Sequence, residues 1–238
     1  MRQKHQMWIA ILLICLFCCS CRAKPEEKIT ERRISKRIAL EDAVVKLPEP
    51  KRNGEMSLEK ALGSRECKRS FTEQDLTLKQ ISQLLWAAQG RALDAITGAT
   101  RTAPSAGALQ PLELYVVSKD GVYHYGLEKH TLKKIKKGDR HSELADAALG
   151  QSPIAEAPIN IVITAVYSRT AAKYGERATR YVHMEAGHAA QNILLEAVAM
   201  GLGGTPIGAF HDDQVQKVLS LPRNHEPLYI IPLGHPPQ

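Results

Sequence analysis

The apolar positions Val182, Ala186, Ala189, Ala190, Ile193, Ala197 and Met200 recur with a helical period and predict a long helix from about Thr179 to Met200. Ala186, Gly187, Ala189 and Ala190 are small, so a neighbouring helix can approach closely there. Ile81, Leu84, Leu85 and Ala88 repeat the spacing behind a Thr77–Gln80 capping box, and Gly90 stops that helix. Shorter helices are expected from Ser57, with Lys60 as its cap partner, to about Gly63, over Ser142 to Leu149 and over Asp212 to Leu219. The period then changes. Leu112 to Ser118 reads as a strand, Asp120-Gly121 as a turn, and Val122 to Tyr125 as the returning strand of a hairpin. Ile159 to Val166 is an almost unbroken apolar, β-branched run, the pattern of a strand buried on both faces, and Leu228 to Leu233 predicts a last strand. Hairpins and helices alternate without repeated βαβ units, so the fold class is α+β, a sheet flanked by helices.

The N-terminus has a different character. Arg2 and Lys4 precede an uncharged run from Trp8 to Cys19, the charged and apolar parts of a secretory signal. That run is shorter than the ~20 residues a membrane-spanning helix needs. Cys18-Cys19-Ser20-Cys21 resembles a bacterial lipoprotein signal with Cys21 as lipid acceptor, the alternatives being a plain secretory signal or a short uncleaved anchor. Residues 1–21 are therefore expected to be the signal, residues 22–56 a charged tether with Pro25, Pro48 and Pro50, and residues 57–238 the domain. A short helix is expected around Ile34 to Val45 within the tether. The protein is thus expected to be exported, either membrane-anchored through a lipid on Cys21 or periplasmic. The 238-residue chain is 44% hydrophobic but only 5% aromatic, so one domain with an aliphatic core is expected. Its net charge of +7 suits an anionic ligand or membrane surface, yet no long basic tract or nucleic-acid module is present, and a nucleic-acid role is excluded. Beyond the signal only Cys67 remains, so the domain has no internal disulfide.

Three segments carry candidate chemistry. Arg65, Lys68 and Arg69 place three cations within five residues and could neutralise a phosphate, although a solvated basic turn has the same look. RTAPSAGALQ, Arg101 to Gln110, has few bulky side chains and lets backbone amides lie against a flat or anionic ligand; the plainer reading is a tight surface turn. GLGGTPIGAF, Gly201 to Phe210, has the same character and also reads as a helix C-cap entering a strand. Other chemistries fail on spacing. His183 and His188 are five apart and do not share a helix face as a zinc pair would, so no metal centre is expected. Cys67 has no identifiable base, no G-x-S-x-G elbow occurs, and GLGG lacks the strand-to-helix context of a dinucleotide fold.

Taken together and in order, the three segments resemble the flavin-binding blocks of the FMN-dependent nitroreductase family, nearest the branch of azoline (thiazoline and oxazoline) dehydrogenases. The resemblance covers approximately Ser57 to His235. It implies a three-layer sandwich with a mixed sheet, a domain-wide dimer interface, and two FMN molecules per homodimer. In the first block, Arg65 would bind the FMN phosphate, Cys67 would lie by the ribityl chain where relatives carry Ser, and Arg69 would face the pyrimidine edge. In the second, Pro104, Ser105, Ala106 and Ala108 would cover the flavin of the partner subunit; many relatives carry Asn at the position of Ala108. In the third, the amides of Gly208 and Ala209 would point at flavin N5, and many other nitroreductases carry Glu at the position of Gly208. Relatives often end in a basic residue that completes the phosphate site; Arg101 or His235 could substitute here.

The resemblance implies a ping-pong oxidoreductase passing hydride or electrons between NAD(P)H, or another donor, and a small organic acceptor, nitroaromatic or quinone-like. No side chain is required as acid or base, since the flavin carries the chemistry. The alternatives are dehydrogenation of a peptide azoline or similar substrate, and a tethered flavin-binding protein without turnover. Export and nicotinamide use pull against each other, because NAD(P)H is scarce outside the cytoplasm.

Overall fold

The structure, a computed structural model, describes residues 44–91 and 101–237. The strands are β1 Val44–Lys46, β2 Leu112–Ser118, β3 Gly121–Gly126, β4 Thr131–Lys137, β5 Ile159–Ala165, β6 Gly203–Gly204 and β7 Glu226–Gly234. The helices are α1 Leu58–Ser64, α2 Leu78–Gln89, α3 His141–Ala147, α4 Ser152–Glu156, α5 Tyr167–Tyr174, α6 Ala178–Ala199 and α7 Asp212–Leu219. The strands form one sheet in the order β1-β4-β3-β2-β5-β7-β6. Every pairing of neighbouring strands in it is antiparallel. The parallel contribution to the expected mixed sheet is an isolated bridge between Cys67 and Gly204.

Local chemistry explains the helix boundaries. The Ser57 side chain accepts from the Lys60 amide to start α1. At α2 both halves of the Thr77–Gln80 box form, and the Gly90 amide closes the far end on the Trp86 carbonyl. Period-2 alternation then sorts the central strands between two cores. Leu112, Leu114 and Val116 of β2 join Ile81, Leu84 and Leu85 of α2 and Val182, Ala186, Ala189 and Ile193 of α6. Tyr115 and Val117 point the other way, to Leu144 of α3 and Val215 and Leu219 of α7. The result is three layers, helices on both faces of one sheet. β5 is buried along its whole length, as its continuous apolar run predicts.

Two departures occur near the chain's start. The tether expected over residues 22–56 contains β1, which pairs with β4, and Leu47 is 2% exposed. The described fold therefore reaches back to Val44, because a three-residue edge strand followed by prolines leaves no periodic signal. Val44 and Val45, at the end of the expected short helix, are strand; the remainder of that helix, the signal and Cys21 lie outside the described residues. β4, with its Leu-Lys-Lys-Ile-Lys-Lys sequence, alternates in burial but hardly in polarity, so sequence periodicity misses it.

Candidate functional site

The first and third sequence blocks meet. At the end of α1 Arg65 turns extended (φ −68°, ψ 118°), and the chain runs alongside the segment leaving α6. Cys67 bridges Gly204 in parallel, and the Lys68 amide donates to the Gly204 carbonyl at 3.1 Å. Glycine is obligatory in this seam. A Cβ at Gly203 would lie 2.6 Å from Lys68 Cγ, and one at Gly204 would lie 2.7 Å from Leu233 Cδ2 and 2.9 Å from the Pro232 carbonyl oxygen.

The seam is basic. Arg65 is half-buried and Arg69 exposed, and neither forms an ion pair with a carboxylate among the described residues, whereas Lys68 is paired with Glu66. Cys67 is a free, exposed thiol. A hydrogen bond with Thr205 pulls its pKa down, assisted by Arg65, whose Nη1 lies 3.8 Å from Sγ, and by the charge of Arg69. The Thr72 amide donates to the His235 carbonyl at 2.8 Å, which brings the C-terminal segment to the same turn. Thr72 Oγ1 and His235 Nε2 are both buried without a hydrogen-bond partner among the described residues. Orphaned buried polar atoms are rare in folded proteins, and each calls for an explanation, a bound ligand being one.

Beyond the seam, Ile207 exchanges two backbone hydrogen bonds with Ile230, at 2.8 and 2.9 Å. This fixes the backbone entering Gly208 and Ala209, which are exposed. Among the described residues neither of their amides donates to a backbone carbonyl. Gln151 holds the Ala209 carbonyl at 2.9 Å. A Cβ at Gly208 would meet only Tyr229 Cε1, at 3.9 Å, so space there is open.

The second block is elsewhere. Pro104 and Ala108 are exposed, Ser105 and Ala106 half-buried, and a short 3-10 turn spans Ala106–Ala108. The Ser105 hydroxyl accepts from the Gln110 amide at 2.9 Å, and it lies beside Glu185 of α6. A methyl group on Gly107 would strike Tyr174 Oη and Lys173 Nζ, so α5 closes the tip of the loop. The seam joins α6 at its other end, where the Leu202 amide donates to the Ala197 carbonyl. Twelve helical residues separate Glu185 from Ala197, about 18 Å at 1.5 Å per residue. The two are separate features of one chain: a basic seam and a small-residue loop.

Of the two candidates for completing the phosphate site, the structure brings His235 to the basic turn and not Arg101. The Arg101 side chain is 6% exposed and is engaged by Glu128 and by Gln110. Sequence reasoning missed Thr72, Glu185, Lys173 and Tyr174. Glu185 had a legible signal, an acid within the inward apolar stripe beside Val182 and Ala186; the others had none. A cleft of about 830 Å³ lies between the residues just after β1, α2 and the C-terminal part of α6, where Trp86, Leu195 and Met200 contribute to its wall. None of the nine candidate residues lines it.

Comparison with known proteins identifies the family. The sequence pattern of the Nitroreductase family matches residues 62–235. A protein of Methanocaldococcus jannaschii described as a nitroreductase is 42% identical over 188 residues, covering 76% of this chain and 91% of that one. An NADPH-flavin oxidoreductase of Vibrio harveyi is 31% identical over 120 residues, 47% of this chain and 50% of the relative. Among solved structures, a protein of Ralstonia eutropha JMP134 described as a nitroreductase superimposes with a TM-score of 0.73 at 30% identity, covering 82% of this chain and 90% of that one. The chain belongs to the nitroreductase family of oxidoreductases.

Proposed function

We propose that the protein binds FMN and passes hydride or electrons from NAD(P)H to a small organic acceptor, as a homodimer with two composite sites. The observation that carries this reading is the Cys67–Gly204 bridge. It brings two blocks far apart in sequence into one basic seam, beside the orphaned Thr72 Oγ1 and His235 Nε2. Those unfilled hydrogen-bonding atoms, two arginines without carboxylate partners and a backbone cradle with no room for a Cβ suit a phosphate-bearing cofactor. When bound, the flavin supplies a hydride-accepting ring that donor and acceptor visit in turn.

The chain's own residues bind, orient and tune. Arg65 holds the phosphate, and His235 and Thr72 supply the remaining donors, so His235 takes the place of the basic residue that relatives carry after the last strand. Arg69 favours negative charge at the pyrimidine edge as the ring is reduced. Cys67, with a weaker donor than serine, lies by the ribityl chain. The amides of Gly208 and Ala209 would be the donors toward N5 of the bound flavin. Pro104, Ser105, Ala106 and Ala108 face the flavin of the partner subunit, which is why the loop stands about 18 Å along α6 from its own chain's seam.

A second reading reverses the flow, with an azoline-like ring as the substrate oxidised. The open space at Gly208 favours it, because a bulky ring could approach there. The N-terminal segment, by its sequence, exports the chain and lipidates Cys21, and membrane fractionation with mass measurement of the mature N-terminus tests that. The function is tested by purifying the full chain, recording its visible spectrum and adding NADPH without oxygen. A flavin spectrum that bleaches supports the reductase. One that stays oxidised with NADPH but bleaches with an azoline peptide supports the reverse reaction. A chain that takes up no FMN contradicts both.

A further inference from the structure

The 104–110 loop follows a conformationally expensive path. Gly107, Ala108 and Gln110 have φ of 61°, 55° and 47°, and the last two are not glycine. A backbone held this way persists only where its surroundings impose it. At the entry, the Thr102 hydroxyl donates to the Trp86 carbonyl at 3.0 Å, and Asn192 donates to the Thr102 carbonyl at 3.1 Å. Within the loop, the Ser105 hydroxyl accepts from the Gln110 amide at 2.9 Å, which closes the turn on itself.

The exit is held from α5. Arg169 Nη1 donates to the Gln110 carbonyl at 3.0 Å, and Arg169 Nη2 donates to Glu113 Oε1 at 2.5 Å. The left-handed Gln110 is therefore gripped on both sides, its amide by Ser105 and its carbonyl by Arg169. One residue on, the Val166 amide donates to the Pro111 carbonyl at 2.8 Å and seats the start of α5 against the same exit. Glu113 is itself fixed within the sheet. Its Oε2 lies 2.7 Å from His124 Nε2 on β3, and its main-chain carbonyl accepts from the Thr164 hydroxyl at 3.3 Å. Burial works to raise the Glu113 pKa, but His124 and Arg169 outweigh it and hold the carboxyl below its ordinary value, so it stays charged. A planar guanidinium serves two acceptors from one rigid fork, and here it joins a fixed carboxylate to a strained carbonyl. The Arg169 side chain is 41% exposed, so removing it opens no cavity in the core.

We infer that Arg169 is the positioning residue for the flavin-covering loop. Oriented by Glu113, it holds the Gln110 carbonyl so that Pro104, Ser105, Ala106 and Ala108 keep the shape that meets the cofactor bound by the partner subunit. The inference rests on the proposed FMN site and adds to it a residue that acts through the loop.

The test uses the full chain and the variants R169A, R169K, E113Q and R169A/E113Q. It reads affinity for FMN and for riboflavin by fluorescence, and the quenching of bound flavin by iodide, which reports how well the ring is covered. R169A is expected to weaken both flavins by about tenfold, the size of one lost hydrogen bond to a charged group. The ratio of FMN to riboflavin affinity should not change, because the loop meets the ring and not the phosphate. Iodide should quench the flavin bound to R169A more strongly than that bound to wild type. R169K, which keeps a charged donor but not the fork, should fall between the two. The double variant should be no weaker than R169A, because Glu113 acts through Arg169. Wild-type iodide quenching in R169A, a changed FMN-to-riboflavin ratio, or additive losses in the double variant would each overturn the inference. R169A decides the matter if E113Q does not fold. Wild-type protein that takes up no FMN would remove the underlying reading, and this inference with it. Wild-type binding with an indifferent R169A would remove this inference alone.

Discussion

The seam and the loop solve the same problem, presenting backbone to a flat ligand, by opposite means. The seam is held by main chain: a parallel bridge, the Lys68 amide on Gly204, and glycines packed against Lys68 and Leu233. The loop is held by side chains, with Ser105, Asn192 and Arg169 restraining a strained path. A main-chain scaffold tolerates changes in the side chains it displays, because its geometry does not depend on them. A side-chain scaffold is sensitive to single deletions. The two halves should therefore respond differently to mutation.

The largest effect is expected where a side chain is forced into the seam. Gly204→Val should destabilise the fold by about 3 kcal/mol, since overpacking at such sites costs 1–3 kcal/mol and the backbone there cannot yield. Gly208→Ala, with only Tyr229 at 3.9 Å, should melt within a degree or two of wild type. Thermal unfolding of the pair separates a packed glycine from an open one.

Next comes pH. Unfolded, the Glu185 carboxyl gives up its proton near 4.5; folded, it keeps it to about 7. Between these values the folded chain binds the extra proton, so this group's contribution to stability falls as pH rises through the window and stays low above it. E185Q removes that penalty. It should be more stable than wild type at pH 8 by about 2 to 3 kcal/mol, a difference that vanishes below pH 4.5. Equal unfolding free energies at pH 8 would count against a buried, neutral Glu185.

Smaller effects test the seam's ligand contacts. Arg65→Ala should weaken FMN about 10- to 100-fold, in keeping with a charged hydrogen bond, while changing riboflavin affinity little. The smallest change is expected from Cys67→Ser, which restores the stronger donor and should tighten FMN by no more than about threefold. A C67S variant that binds no flavin would mean that the thiol matters to the site in its own right.

Much of this fold was legible because its elements are locally self-consistent. The capping box at Thr77 and Gln80, the Asp120-Gly121 turn and the apolar run of β5 each agree with their tertiary surroundings. β1 and β4 were not legible, since three edge residues and a lysine-rich strand acquire meaning only by pairing with each other. The candidate site divides in the same way. Its blocks could be recognised as motifs, and the structure brings the first and third together. Thr72 and His235 gain significance only through a contact between Thr72 and the C-terminal segment, which no spacing encodes. Lys173 and Tyr174 likewise enter only because α5 folds against Gly107.

We propose that the seam between Cys67 and Gly204 is built for a flavin bearing a phosphate. Its most direct test is a titration of the purified, flavin-free full chain with FMN and with riboflavin, followed by fluorescence. The account predicts one FMN bound per chain, and riboflavin weaker by about 100-fold, the expected loss of charge-assisted phosphate contacts. Equal affinity for the two, or uptake of neither, would contradict it.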